Sequence, residues 1–288
     1  MKIVFIVLLV FVSSFSQAGS VPLATVNGKR VGKLLFVPVT IDGKGPYWFC
    51  VDSGASHSVI DPSLVKELAL RITRSSTTTG TGQGNIGIQQ TEPMELALGS
   101  LRIKIHEPWV IDLSGVPIPK WTRGLVGAEF FESYVVEIDP DAPSLRFYNP
   151  TSFQPDAEFK SIPLITQDHK MFVDATLIVS EKKRVTDRLR IDTGSEDSVA
   201  DDVVKGGDKV RETTLGHGLG ANYKGYSGVF KAVHLGPFRF ENVWGPAAPK
   251  PTIGMEIFRR FTTIFDCQRH LLYLRPNSHL DEVVPTPE

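Results

Sequence analysis

Apolar segments separated by turn residues follow one another along most of the chain. Segments 34–41, 96–105 and 170–179 are rich in Val, Ile, Leu and Phe, with partial alternation of apolar and polar positions. A period of two is typical of a β-strand, and glycine-rich polar clusters such as DGKGP at 42–46 are typical of the turns between strands. The pattern therefore predicts a chain built mainly of strands.

Helix signals are few and short. Asp61 is a capping residue followed by Pro62, and proline is favoured at the first helical position, so a helix of about two turns is predicted to begin there. Short helices are also expected after Gly127 and Gly254. The expected fold class is all-β with few short helices.

The N-terminus has the three parts of a secretory signal. Lys2 precedes an apolar run at 3–12, and the small residues Ser16 and Ala18 follow it. The run is too short to span a bilayer, which takes about 20 residues. We expect cleavage after Ala18 and a secreted or periplasmic protein without stable membrane association after signal cleavage. A retained membrane anchor is the alternative.

The net charge excludes some classes of binding partner, and the two cysteines are predicted to be free thiols. The formal net charge is −1 at pH 7, so the chain has no electrostatic reason to bind nucleic acid or anionic lipid. Cys50 lies on an apolar segment predicted to be a buried strand, and Cys267 lies in a predicted turn. We expect the two not to pair, with Cys50 a buried free thiol and Cys267 a surface thiol.

The chain contains an internal repeat. VDSGASHSVID at 51–61 aligns without a gap with IDTGSEDSVAD at 191–201, and GAEFF at 127–131 is matched by GMEIF at 254–258. The order of these blocks is the same in both halves, which indicates two equivalent lobes. The predicted organisation is a signal peptide at 1–18, a first lobe at 19–150, a linker at 151–160, a second lobe at 161–276 and a tail at 277–288.

Two copies of Asp-[Ser/Thr]-Gly, each after an apolar strand and each with a glycine downstream, resemble the motifs of the aspartic peptidases, both pepsin-like and retropepsin-like. The tripeptides lie at 52–54 and 192–194, and the downstream apolar elements end at Gly127 and Gly254. The resemblance covers about 33–276. It implies a bilobal pepsin-like acid protease fold, in which two pseudo-symmetric β lobes bring the two Asp loops together in the cleft between them.

The resemblance implies that Asp52 and Asp192 are the catalytic pair. Two carboxyls a few ångströms apart cannot both ionise cheaply, so they share one proton. One carboxylate accepts a proton from water while the other carboxyl, still protonated, polarises the substrate carbonyl; either residue fits either role. The hydroxyls of Ser53 and Thr193 are expected to bond across to the opposite loop. The implied dyad-supporting residues are Ser53, Gly54, Thr193, Gly194 and Ser195.

Glycine-rich stretches between the repeated blocks are flap candidates under the same resemblance. The implied flap and substrate-binding residues are Gly80, Gly82 and Gly84 in the first half and Gly216, Gly218, Tyr223 and Tyr226 in the second. The first stretch lacks the tyrosine that pepsin-like flaps place against the substrate, and it is similar to the glycine-rich flap of retropepsins. A flexible surface loop is the alternative.

One residue after the first motif departs from the pepsin pattern. Ala55 takes the place where pepsin-like enzymes carry a hydroxyl and retropepsins an alanine. The missing hydroxyl removes a hydrogen bond that favours the charged pair, so we expect activity at a pH less acidic than pepsin's.

The sequence thus predicts an aspartic-type endopeptidase that acts as a monomer on a peptide or protein substrate and needs no cofactor. Its seven histidines form no zinc-binding pattern, so no metal site is expected. The alternative is a non-catalytic peptide- or protein-binding member of the same fold. Two intact Asp-[Ser/Thr]-Gly motifs favour catalysis.

Overall fold

The structure is a computed structural model. It describes residues 20–284, apart from positions 81, 83, 208 and 217. The predicted signal peptide at 1–18 and its cleavage site lie outside the described residues. Among the described residues, no helix has both the length and the hydropathy needed to cross a membrane.

The described residues form 24 strands, three short α-helices and one 3-10 helix. The elements of the first half are β1 (Ala24–Asn27), β2 (Lys29–Val31), β3 (Leu34–Ile41), β4 (Lys44–Val51), β5 (Val59–Ile60), α1 (Pro62–Leu68), β6 (Ile72–Thr79), β7 (Asn85–Thr91), β8 (Met94–Leu98), β9 (Leu101–Ile105), β10 (Trp109–Val110), β11 (Thr122–Val126), α2 (Ala128–Ser133), β12 (Val135–Asp139) and β13 (Ser144–Tyr148).

The second half repeats this β-rich pattern. Its elements are β14 (Lys160–Pro163), β15 (Ile165–Gln167), β16 (Lys170–Ser180), β17 (Lys183–Asp192), β18 (Val199–Ala200), the 3-10 helix (Asp202–Gly206), β19 (Val210–Leu215), β20 (Tyr223–Leu235), β21 (Phe238–Pro246), β22 (Thr252–Gly254), α3 (Met255–Phe258), β23 (Phe261–Asp266) and β24 (Leu271–Pro276).

Three sheets organise the strands. The first lobe is a ten-stranded sheet with the order β6-β7-β10-β5-β11-β4-β3-β8-β9, in which β2 also pairs with β3. The second lobe is an eight-stranded sheet with the order β18-β22-β17-β16-β20-β19, in which β15 pairs with β16 and β21 with β20. A six-stranded sheet, β1-β13-β12-β23-β24-β14, takes strands from both halves. This arrangement confirms the predicted all-β, bilobal architecture.

The shared sheet and the helices on it hold the lobes together. β12 of the first half pairs directly with β23 of the second half. Phe131 of α2 packs edge to face on Phe265 of β23, with ring centroids 5.1 Å apart, and both side chains are buried. Burying such a side chain contributes about 1.5–3 kcal/mol. This packing fixes the position of one lobe relative to the other, and with it the relation of the two motif loops.

Local patterns predicted most of these elements. The strands expected at 34–41 and 170–179 are observed as β3 and β16. Asp61 caps α1 by accepting a hydrogen bond from the amide of Ser63 at 2.9 Å, and α2 and α3 follow Gly127 and Gly254 as expected.

One strand prediction was wrong. Segment 96–105 is not a single strand but includes the turn of the β8–β9 hairpin. Gly99 has a φ of +61°, the left-handed conformation that glycine adopts without steric cost and that reverses the chain here.

Both cysteines are free, which confirms that they do not pair. Cys50 is buried on β4 as predicted. Cys267 was predicted to be a surface thiol, and this is wrong: it lies in the turn after β23 but is only 9% exposed, with its sulfur 3.5 Å from that of Met171. Sequence position places a residue in a turn, but the packing of β16 against that turn decides its exposure.

Candidate active site

The same strand arrangement holds Asp52 and Asp192 in the two lobes. In the first lobe the central strand β11 pairs in parallel with β4, before the loop at 52–58, and antiparallel with β5 after it. In the second lobe β22 pairs in parallel with β17 and antiparallel with β18, on either side of the loop at 193–198. Each loop is therefore anchored at both ends on one central strand by backbone hydrogen bonds.

Glycines at the ends of the central strands allow each loop to pack closely. A Cβ on Gly127 would overlap the carbonyl group of His57. A Cβ on Gly254 would lie 2.5 Å from the carbonyl oxygen of Asp197 and 2.9 Å from that of Ser195. These contacts are closer than real Cβ atoms make, so the two glycines are needed where the loop backbone passes behind each aspartate.

A reciprocal set of hydrogen bonds joins the two loops. The amide of Ser53 donates to Thr193 Oγ1 at 2.9 Å, and the amide of Thr193 donates to Ser53 Oγ at 3.1 Å. Each hydroxyl in turn donates to a backbone carbonyl of the opposite lobe, Ser53 Oγ to Ile191 at 3.0 Å and Thr193 Oγ1 to Val51 at 2.9 Å. Ser53 and Thr193 are 0% and 3% exposed. The predicted cross-loop bonding of the two hydroxyls is confirmed.

The motif glycines bring the carboxyls of Asp52 and Asp192 together. The amide of Gly54 donates to Asp52 Oδ1 at 2.9 Å, while a Cβ on Gly54 would lie 2.7 Å from Cγ of Asp192. A Cβ on Gly194 would lie 2.6 Å from Cγ of Asp52. Each carboxyl thus packs against the glycine of the opposite motif, which only a residue without a side chain permits. We call this pair of carboxyls the dyad.

Burial and mutual repulsion make the dyad hold a proton. Burial, and then the negative charge of Asp192, raise the pKa of Asp52 to about 7. The positive charge of Arg190 and the amides of Gly54 and Ala55 act in the opposite direction and keep the pKa of Asp52 from rising further. A carboxyl with this pKa is protonated over most of the acidic range.

A cation contacts the other member of the dyad. Arg190 Nη2 lies 2.8 Å from Asp192 Oδ2, and the two side chains are 19% and 10% exposed. A charge-assisted hydrogen bond between a guanidinium and a carboxylate is among the strongest that side chains form. Sequence reasoning missed Arg190, although it lies two residues before Asp192 on β17, and residues at this spacing on a strand share a face.

The repeat makes the asymmetry of the dyad plain. The alignment that carries Asp52 onto Asp192 carries Cys50 onto Arg190. Cys50 is 1% exposed, and burial, followed by the charges of Asp52 and Asp192, raises the pKa of its thiol. One lobe therefore places a neutral thiol at the position where the other places a guanidinium, so the two aspartates are not electrostatically equivalent.

The residues that follow the two motifs also differ. The amide of Ala55 donates to Asp52 Oδ1 at 3.1 Å, so this backbone bond persists without a side-chain hydroxyl. Ser195 was predicted to support the dyad, and its amide donates to the backbone carbonyl oxygen of Asp192 at 3.2 Å. Its hydroxyl accepts a hydrogen bond from the amide of Asp197 at 3.2 Å, because the second loop turns the side chain back on its own backbone.

The two glycine-rich stretches are the tips of β-hairpins that meet across the boundary between the lobes. We call hairpin β6–β7 the first flap and hairpin β19–β20 the second flap. The amide of Gly82 donates to the carbonyl oxygen of Leu219 at 2.8 Å, and a Cβ on Gly80 would overlap the same residue. Gly82 also lies close to Gly216, so the predicted flap glycines of the two halves are brought together.

The remaining flap candidates have different surroundings. Gly84 has a φ of +85° in the first tip, and a Cβ there would meet nothing within 4 Å. The amide of Gly218 donates to the carbonyl oxygen of Gly216 at 2.7 Å within the second tip. Tyr223 packs on that tip, with Cδ1 3.2 Å from where a Cβ of Gly216 would be, whereas Tyr226 is 46% exposed. Positions 81, 83 and 217 of the tips lie outside the described residues.

Within the part of the chain that the structure describes, no three His, Cys, Asp or Glu side chains are arranged to hold a metal ion. The chemistry that the site offers is that of two carboxyls sharing a proton, one of them paired with a guanidinium. Such a pair can take a proton from one group and give a proton to another in the same step.

Comparisons with known proteins agree with this geometry. Residues 37–130 match the family model described as aspartyl protease. The fold is similar to the crystal structure of aspartic proteinase from Irpex lacteus, with a TM-score of 0.54 and 12% sequence identity over 91% of this chain and 99% of that chain. A search of curated proteins found no match. The chain therefore has the bilobal fold of the pepsin-like aspartic peptidases, and most of its first lobe matches the aspartyl protease family.

Proposed function

We propose that the chain is an aspartic-type endopeptidase that hydrolyses peptide bonds with a water held between Asp52 and Asp192. The observation that carries this proposal is the packing of each carboxyl against the glycine of the opposite motif, with Cγ to Cβ separations of 2.7 and 2.6 Å for a Cβ built on Gly54 and Gly194. Two buried carboxyls are costly unless they share a proton, and a structure that holds them together by paired hydrogen bonds is arranged for proton transfer.

The asymmetry of the dyad favours one assignment of roles. The guanidinium of Arg190 lies 2.8 Å from Asp192 Oδ2, and the pKa of Asp52 is raised to about 7. In the resting enzyme Asp192 is then the carboxylate that accepts a proton, and Asp52 is the protonated carboxyl that donates one. The assignment describes the favoured state of a coupled pair, because the shared proton belongs to both groups.

The reaction proceeds in two balanced steps. In the first step, Asp192 takes a proton from the water while the water oxygen bonds to the carbonyl carbon. At the same time Asp52 gives its proton to the carbonyl oxygen, and the product is a tetrahedral diol. Asp192 then protonates the departing nitrogen as the carbon–nitrogen bond breaks, and one diol hydroxyl returns its proton to Asp52. The products are a carboxylic acid and an amine, and the dyad is restored to its starting state.

The flaps support an endopeptidase rather than a hydrolase of small amides. The two hairpins reach each other from opposite lobes, with Gly82 bonded to Leu219. An extended peptide lying between the flaps and the dyad offers backbone groups that pair with strand edges. Because both aspartates belong to one chain, a monomer suffices. Secretion or periplasmic location remains a proposal that rests on segment 1–18.

The decisive test compares the mature protein with its Asp52→Asn and Asp192→Asn variants on a peptide library from pH 3 to pH 8. Asn keeps the shape of the side chain but cannot exchange a proton, so each variant is expected to lose activity by at least about 100-fold. The matched control is Asp281→Asn, which makes the same change at an exposed position and is expected to retain activity. A dyad-directed inhibitor such as pepstatin is expected to block cleavage by the parent.

The outcomes separate the two candidate functions. Cleavage that survives both dyad substitutions would eliminate the proposed mechanism. A parent that cuts no peptide at any pH, but binds peptides, would identify the non-catalytic binding member of the fold. In that case the Arg190–Asp192 pair would be a structural ion pair rather than part of a proton-transfer site.

A further inference from the structure

Three basic side chains, those of Lys170, Arg190 and Lys250, lie together beside the dyad on the second lobe. In the antiparallel register of β16 and β17, Phe172 is opposite Arg190. Beyond this pair, β16 reaches back two residues to Lys170 and β17 continues two residues to Asp192, and residues at this spacing on a strand share one face of the sheet. The Lys170 ammonium therefore lies on the face of the sheet that carries Arg190 and Asp192.

Lys250 lies near Arg190, because the amide of Arg190 donates to the carbonyl oxygen of Pro251, the neighbour of Lys250, at 2.9 Å. Burial lowers the pKa of Lys170, and the next largest contributions are the charges of Arg190 and then Lys250. Asp168, in the turn before β16, acts in the opposite direction but contributes less than either cation. A half-buried ammonium beside two like charges is unfavourable unless an anion accompanies it.

Among the described residues, the cluster forms a salt bridge only with Asp192 of the dyad, and Asp168 acts on Lys170 without a salt-bridge contact. Lys170 forms no ion pair with a described residue, and Lys250 donates to the neutral hydroxyl of Thr79 at 3.0 Å. Arg190 gives one nitrogen to Asp192, while its buried Nε makes no hydrogen bond to any described residue. The ammonium of Lys170 is thus left for an incoming acceptor.

The position of the cluster relates it to the cleft. Arg190 contacts the dyad, and Lys250 contacts Thr79, the last residue of β6 before the tip of the first flap. The cluster therefore contacts the dyad through Arg190 and the first flap through Lys250.

We propose that Lys170, Arg190 and Lys250 form a subsite for a carboxylate side chain of the peptide substrate, so that the enzyme prefers Glu or Asp at a position close to the bond that is cut. This inference rests on the proposed peptidase function and names its substrate class. A carboxylate in the subsite accepts charge-assisted hydrogen bonds from donors that are already partly desolvated, which favours an acidic side chain over its amide.

The test uses internally quenched peptides that are identical except for Glu, Gln or Lys at one position, scanned on both sides of the cut. For the parent we expect kcat/KM about 10-fold higher with Glu than with Gln at one position, which corresponds to one charge-assisted hydrogen bond. Lys170→Glu and Lys250→Glu are each expected to abolish or invert this preference in favour of Lys. Added salt is expected to reduce the preference of the parent, because part of the subsite is open to solvent.

The matched control is Lys104→Glu, the same change of charge at an exposed residue of β9, the edge strand at the far side of the first-lobe sheet. It is expected to keep the parent's preference for Glu. Lys250 is exposed, so its variant tests the subsite even if a charge reversal at half-buried Lys170 prevents folding. A parent without any preference for an acidic side chain, or a preference that survives both reversals, would overturn the proposal.

A second readout separates this inference from the proposed function. Fluorescence anisotropy measures the binding of labelled Glu and Gln peptides to the Asp52→Asn variant, which needs no turnover. A Glu peptide that binds about 10-fold more tightly supports the subsite even if the parent cuts neither peptide, whereas equal affinities contradict the subsite even if the parent is an active peptidase.

Discussion

Replacing Arg190 by Met is the sharpest test of how the dyad is tuned. The substitution removes the guanidinium that lies 2.8 Å from Asp192 Oδ2 but keeps most of the side chain's apolar volume. Activity requires one protonated and one ionised carboxyl, so kcat/KM falls at low pH when both carry protons and at high pH when neither does. The positive charge of Arg190 lowers the pKa of Asp52, and its guanidinium contacts Asp192. Without it, both limbs of the pH profile are expected to move to higher pH.

The magnitude follows from the geometry of the pair. A hydrogen bond to a charged group contributes about 1.5–3 kcal/mol, and one pH unit corresponds to about 1.4 kcal/mol. Arg190 and Asp192 are 19% and 10% exposed, so solvent screens little of this energy. The acid limb is therefore expected to rise by about 1 to 2 pH units. The alkaline limb, set by the pKa of Asp52 at about 7, is expected to rise by less because Arg190 does not contact Asp52 directly.

The assay is kcat/KM from pH 2.5 to pH 9 with a peptide that carries no acidic side chain, so that effects on substrate charge do not enter. Arg190→Lys is the matched variant, since it retains the positive charge and loses the planar geometry. It is expected to give limbs between those of the parent and Arg190→Met. The reasoning is refuted if Arg190→Met remains active and both limbs stay within about 0.3 pH units of the parent.

Three further predictions concern the motif residues. Gly54→Ala is expected to abolish activity, because its Cβ would lie 2.7 Å from Cγ of Asp192; the folded state is checked by circular dichroism, and wild-type kcat would contradict the prediction. Thr193→Val removes two buried hydrogen bonds between the lobes and should lower the free energy of unfolding by about 2 kcal/mol or more in urea, whereas a loss under 0.5 kcal/mol would show that the bonds matter little. In Asp52→Asn the pH dependence of stability changes. The folded pKa of Asp52, about 7, exceeds its ordinary value of 3.8, so its contribution to stability is present in acid and lost as pH rises through 7. Asn cannot ionise and avoids this loss. From pH 4 to pH 8, the free energy of unfolding of the variant, measured by thermal unfolding, is expected to increase by about 2 kcal/mol relative to that of the parent. Parallel curves of unfolding free energy against pH for the two proteins would argue against a shared proton.

The dyad links the two halves of the chain in energy as well as in function. The amide and hydroxyl of Ser53 and of Thr193 each find a partner in the opposite lobe, and all of these groups are buried. Removing one partner leaves a buried donor or acceptor without a hydrogen bond, which costs more than the bond itself contributes. The loops that place the aspartates are therefore part of what joins the lobes, and substitutions there are expected to affect stability and activity together.

The sequence by itself determined the parts of the protein that depend on local pattern and on repetition. Asp61 followed by Pro62 predicted α1, and the alternation at 34–41 predicted β3, because capping and strand periodicity are properties of neighbouring residues. The repeat of the Asp-[Ser/Thr]-Gly motif predicted that Ser53 and Thr193 occupy equivalent positions in the two lobes, and the resemblance to aspartic peptidases implied that their hydroxyls bond across to the opposite loop.

Only the tertiary structure decided the features that depend on contacts between distant segments. It brought the flap tips of the two lobes together, buried Cys267 against β16 and bonded the Ser195 hydroxyl to the amide of Asp197. It also placed Lys250 near Lys170 and Arg190, although these residues are far apart in the chain. The strand period puts Arg190 on the face of Asp192, but its contact depends on side-chain conformation and on the space left by neighbouring strands. Such contacts are set by packing between elements, which no local pattern specifies.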